Sequence, residues 1–123
     1  MLAFLLDENT GGDLVKAFHR RARLGELPAV DVVRVGEVDA PPTGTLDPEL
    51  LLWCEANQRI LVSNDRRTMP GHFATHLVSG RHSPGVVLIR RGTGIGQVVA
   101  ELLMLTEAGH PDDFRNQIVY IPL

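Results

Sequence analysis

The sequence predicts an α/β fold: a mostly parallel central sheet with helices covering both faces. Three observations predict it. Short apolar runs alternate with segments of helical periodicity along all 123 residues. Those runs are continuously apolar rather than alternating, as expected of strands buried on two faces. Hydrophobic residues make up 44% and charged residues 22%, which supports a packed core and argues against global disorder. The length suits one domain spanning 1–123. No internal repeat, low-complexity tract or linker divides it.

The elements follow in order. Met1 to Leu6 reads as a first strand. Gly11 and Gly12 open a helix from about Asp13 to Arg23, where Leu14, Val15, Phe18 and Ala22 recur at helical spacing and Gly25 suits a C-terminal cap. His19, Arg20, Arg21 and Arg23 place positive charge in its later turns, where the dipole favours it. Val30 to Val35 is a valine-rich second strand, and Asp39 to Thr45, with Pro41, Pro42 and Gly44, is a loop. Asp47-Pro48 reads as an N-cap followed by proline at the first helical position, opening a helix to about Asn57. Ile60 to Ser63 is the third strand. The stretch from Asn64 to Pro84 is mostly irregular, with a short helix around His72 to Val78. Gly85 to Ile89 is a fourth strand, Ile95 to Ala108 a helix, and Gln117 to Ile121 a last strand.

Charge and cysteine narrow the function. The formal net charge of −3 argues against a strongly basic nucleic-acid coat protein but permits a local basic patch. Lys16 is the one lysine; the other basic residues are arginines, which suit bidentate contact with phosphate. Cys54 is the single cysteine, so no internal disulfide forms and a reducing cytoplasm is the expected location. Its apolar helical neighbours mark it as structural. No apolar run reaches the ~18 residues of a membrane span, and there is no basic, then apolar, leader.

The chemistry concentrates where apolar runs stop at acids. Leu2 to Leu6 ends in Asp7-Glu8-Asn9, and Ile60 to Ser63 ends in Asn64-Asp65-Arg66. The carboxyl ends of strands are where ligands bind in open α/β sheets. Asp47 and Glu49 begin the helix that leads into the third strand, so they can reach the same side of the sheet. Clustered carboxylates repel one another unless a proton or cation relieves them. Hard divalent ions such as Mg²⁺ or Mn²⁺ take oxygen ligands, keep several waters, and can act on a phosphodiester. Each acid also has an ordinary explanation: Asp47 as a cap, Glu49 as a complement to the helix dipole, Asp65 as a turn residue. Asp7, beside a buried strand, is the hardest to explain in that way.

Taken together, Phe4-Leu5-Leu6-Asp7-Glu8-Asn9, Leu46-Asp47-Pro48-Glu49-Leu50-Leu51, Arg59 to Arg66 and Gly85 to Arg90 resemble the compact PIN-like proteins of bacteria. The resemblance runs in the same order over most of the chain. It implies a three-layer α/β/α sandwich related to metal-dependent ribonucleases, many of whose wider relatives are toxin partners in toxin–antitoxin pairs. Carried over by position, it implies Asp7, Asp47 and Asp65 as the catalytic acids and, together with Glu8, as the Mg²⁺- or Mn²⁺-binding set, Glu8 assisting by hydrogen bonding or ligation and Asn9 lying adjacent. One departure stands out. These proteins often continue the third signature with Asp-Phe, whereas here Arg67-Thr68-Met69 follows. Arg67 puts positive charge where a second ion would bind, which argues against two-metal catalysis and leaves open a one-metal enzyme, a weak enzyme, or a binding module that has lost the chemistry.

Other signals carry less. Gly92-Thr93-Gly94-Ile95-Gly96 lies between a strand and a helix, but its third glycine comes one residue early for a dinucleotide loop and no phosphate-binding Lys-Ser/Thr follows. A glycine turn explains it. His72 and His76 share a helix face but lack the further ligands zinc needs. No nucleophile elbow accompanies any serine. The arginines near the acids, Arg66 and Arg67 above all, suit contacts with RNA phosphates, alongside Asn9 and Asn64; with only 5% aromatics, base stacking is limited. The expectation is therefore a ribonuclease acting on RNA, with an antitoxin protein or a second copy as partner and no membrane. The competing expectation is a non-enzymatic relative that binds a protein or dimerises. A nucleotide-binding protein using Gly92 to Gly96 is the third.

Overall fold

The computed structural model describes residues 2–10, 12–23 and 30–123. Met1, Gly11 and the expected cap Gly25 lie outside these residues. The elements are β1 (Ala3–Leu6), α1 (Gly12–Arg23), β2 (Asp31–Arg34), α2 (Asp47–Asn57), β3 (Ile60–Ser63), α3 (Met69–Val78), β4 (Val86–Ile89), α4 (Ile95–Ala108) and β5 (Ile118–Ile121). Two 3₁₀ turns, Glu8–Thr10 and Pro111–Asp113, interrupt the connections.

The strands form one sheet in the order β2-β1-β3-β4-β5, and each neighbouring pair is parallel. Parallel strands need crossovers, and the helices supply them. The pleat then divides the apolar runs between two layers. Phe4, Leu6, Ile60, Val62, Val87, Ile89 and Ile121 face α1 and α4, where Leu14, Phe18, Val98, Val99, Leu102 and Leu105 cover them. Leu5, Leu61, Val86 and Leu88 face α2 and α3, where Leu50, Leu51, Cys54, Met69 and Phe73 cover them. This is the α/β/α sandwich, and it explains why the strands are apolar at successive positions: both faces are buried.

The structure differs locally from the sequence reading. Helix α3 begins at Met69 rather than His72, one turn earlier. Pro70 occupies its first turn, where a missing N–H costs nothing. Asp47 is not the N-cap of α2. Leu46 takes that place in extended conformation, without a side-chain capping bond, and Asp47 is the first helical residue. Its carboxylate is therefore not used as a cap.

Candidate active site

The strand order creates the site. Helix α1, which follows β1, packs on one face, and α3, which follows β3, packs on the other. Neighbouring strands whose following helices diverge leave a crevice at their carboxyl ends. Asp7 follows β1, and Ser63 ends β3, so both stand at that crevice.

Asp7 is 3% exposed. Its N–H donates to the Val62 carbonyl at 2.9 Å, extending the ladder by one residue. Its Oδ2 accepts from the Ser63 hydroxyl at 3.1 Å, and Ser63 Oγ in turn accepts from the Asp65 N–H at 3.1 Å. One small hydroxyl thus connects two of the three acids.

Asp65 is tied into its own turn. Its Oδ1 accepts from the N–H groups of Arg67 at 3.2 Å and Thr68 at 3.0 Å, and its Oδ2 accepts from the Thr68 hydroxyl. The Thr68 hydroxyl, followed by these backbone donors, holds the Asp65 carboxyl below its ordinary value, and His72 adds to the effect. Asp65 is both the turn residue that local sequence suggests and a member of the acidic set.

Asp47 behaves oppositely. Burial first, then the charges of Asp7 and Asp65, push its carboxyl above the ordinary value, while His72 pulls it back. His72 Nε2 lies 4.0 Å from Asp47 Oδ2. An open cleft of about 420 Å³ contains this arrangement, with Asp7, Glu8, Asn9, Asp47 and His72 in its walls. Among the described residues, no three His, Cys, Asp or Glu side chains form a preassembled metal-holding group.

The other predicted site residues have structural ties. Glu8 Oε1 accepts from the Gly44 N–H at 3.0 Å. The Asn64 side-chain amide donates to the Asn9 carbonyl at 3.0 Å, joining the loops after β1 and β3. Arg66 Nη1 donates to the carbonyls of Ile89, at 2.5 Å, and Asn64, at 3.2 Å, bracing the end of β4. Arg67 is exposed, and its backbone N–H donates to Asp65 Oδ1. Glu49 is also exposed, in the first turn of α2.

Sequence reasoning missed Ser63, Thr68 and His72. A serine closing an otherwise apolar strand was the available signal for Ser63. His72 and His76 do share α3, but their surroundings differ. His76 is buried, with Nε2 2.7 Å from the His82 carbonyl and 3.0 Å from Glu55 Oε1. Both neighbours are acceptors, so Nε2 carries a proton.

Cys54 is buried, and burial pushes its thiol up to about 12, which removes it as a nucleophile at neutral pH. The glycine segment forms a turn, with Gly92 at φ 83° and Gly94 as the N-cap of α4. Among the described residues, no helix is long and apolar enough to cross a membrane. No protein-family model, curated protein or solved structure matches the chain.

Proposed function

We propose that this chain is a Mg²⁺- or Mn²⁺-dependent ribonuclease of the PIN-like type, with Asp7, Asp47 and Asp65 as its acidic set. The observation that carries the reading is the cleft that Asp7 and Asp47 line together, with the Ser63 hydroxyl tying Asp7 to the backbone of Asp65 beside it; burial and the charges of Asp7 and Asp65 raise the Asp47 carboxyl accordingly. Three acids remote in sequence share one field at the point where the strand order reverses. Negative charge concentrated against mutual repulsion is what a cation site requires. The donor set fits a hard ion: the oxygens are carboxylates, Asp7 is buried and lines the cleft, and the open cleft leaves room for the waters such ions retain. When bound, the ion polarises a phosphodiester and lowers the pKa of its water.

The chain's own residues do the positioning. Ser63 fixes Asp7, Thr68 fixes Asp65, and Asn64 and Arg66 brace the loops that carry them. Arg67, exposed two residues after Asp65, is the residue assigned to backbone phosphate in this reading. RNA as substrate, a toxin role with an antitoxin protein as partner, and a cytoplasmic setting belong to the same reading.

Calorimetric titration with Mn²⁺, paired with single-stranded RNA cleavage, tests it. Saturable binding that Asp7→Asn removes is the expected result. No binding at millimolar Mn²⁺ overturns the proposal. The lack of a preassembled three-ligand group among the described residues favours a second reading, a protein-binding or dimerisation module on the same fold. In that case the titration shows no saturable heat.

A further inference from the structure

We propose that Glu8 is a positioning residue for this site, a latch on the wall that carries Asp47, and not a ligand of the ion. The inference rests on the ribonuclease reading and refines the role of one residue within it.

Glu8 adjoins Asp7 and lines the same cleft, so its place in the chain suggests ligation. Its bonds indicate another task. Oε1 accepts from the Gly44 N–H at 3.0 Å, across 36 residues. Its main-chain carbonyl accepts from Arg34 Nη2 at 2.8 Å. The first bond joins the turn after β1 to the segment between β2 and α2, and the second joins it to the last residue of β2.

That segment is internally organised. The Gly36 N–H donates to the Pro41 carbonyl at 2.8 Å. Thr45 donates to the Pro42 carbonyl through its N–H at 3.2 Å and its hydroxyl at 2.6 Å. Gly36 and Gly44, at φ 98° and 88°, bracket it in backbone that side chains rarely adopt. The segment keeps its own shape, and Glu8 fastens its far end to the cleft.

Gly44 precedes Asp47 by three residues, and Gly44, Thr45, Leu46 and Asp47 form one continuous wall. The Glu8 bond therefore sets where the first turn of α2 stands relative to Asp7. An N–H donating to a carboxylate is among the stronger hydrogen bonds available for this purpose.

Glu8→Gln and Glu8→Ala separate the two roles, because glutamine retains the acceptor oxygen and discards the charge. The readouts are the NMR amide shift and exchange rate of Gly44 in metal-free protein, and Mn²⁺ affinity by calorimetry. Glu8→Ala moves the Gly44 resonance upfield, speeds its exchange, and weakens Mn²⁺ binding about 10-fold, the lower end of the range for lost supporting contacts. Glu8→Gln keeps most of the Gly44 shift and most of the affinity. Equal loss of affinity in both variants overturns the proposal, because the charge then acts on the ion. An unchanged Gly44 signal in Glu8→Ala also overturns it. If the parent protein binds no Mn²⁺, the ribonuclease reading fails separately, and the Gly44 signal alone decides the latch.

Discussion

At the amino ends of the strands, Arg59 Nη1 pairs with Asp31 at 2.8 Å and donates to the Phe4 carbonyl at 3.2 Å. Ser83 and Asn116 exchange bonds of 2.8 and 2.9 Å across the starts of β4 and β5. At the carboxyl ends, Asp7, Asp47 and Asp65 share one region, and the weak approach of His72 only partly offsets their repulsion. One sheet thus has a balanced end and an unbalanced one. The same chain that places Arg59 against Asp31 leaves Asp47 working against burial and two like charges. Stability alone does not select the second arrangement, so it marks the end where chemistry is expected.

The sharpest way to break this contrast is Asp7→Asn. RNA cleavage should fall by more than roughly 100-fold, the upper range for losing a supporting partner of a metal site. A cleavage rate equal to that of the parent sinks the assignment. The balanced end should instead fail through packing. Gly85 sits at φ 129°, and a Cβ there would lie 2.6 Å from the Phe114 carbonyl oxygen. Gly85→Ala should cost about 3 kcal/mol of stability in urea unfolding, combining backbone strain and overpacking. A loss near zero would mean that the β4–β5 junction yields easily.

Asp65→Ala removes a turn that organises the start of α3 and should cost about 1 kcal/mol, as other capping losses do. Its pH dependence has a definite sign. The Asp65 carboxyl is lowered in the fold, so its contribution is present above the ordinary value of 3.8 and disappears as pH falls through the lower folded value. Unfolding curves for parent and variant should converge in acid. Asp47→Asn has the smallest effect, and the opposite sign. The Asp47 carboxyl is raised, so the folded state holds its proton more tightly than the unfolded chain does. The penalty is absent in acid and sets in as pH rises through the raised value. Asp47→Asn should therefore stabilise the protein at pH 7 and lose that advantage at low pH. Destabilisation at pH 7 would show that Asp47 is balanced after all.

Much of the fold could be read from the chain because burial on both faces imprints continuous apolar runs. The bounds of β3 and α4 coincide with the expected ones, α2 starts one residue earlier than expected and ends where expected, and the other described strands agree to within a few residues. What could not be read depends on contacts far apart in sequence. Ser63 meets Asp7 across 56 residues, and Glu8 meets Gly44 across 36. No local pattern encodes either distance. The start of α3 lies within the stretch that reads as irregular, where Asp65 secures the entry turn and Pro70 sits in the first helical turn. Asp47 looked like a cap because Asp-Pro commonly is one; Leu46 took the position and left the carboxylate to the cleft.

The burial of Cys54 on the sheet-facing side of α2 has a practical consequence. With its thiol held near 12, the native protein should ignore maleimide at neutral pH. A dye attached through a cysteine introduced on the surface would then report from that position alone, without background from the natural sulfur.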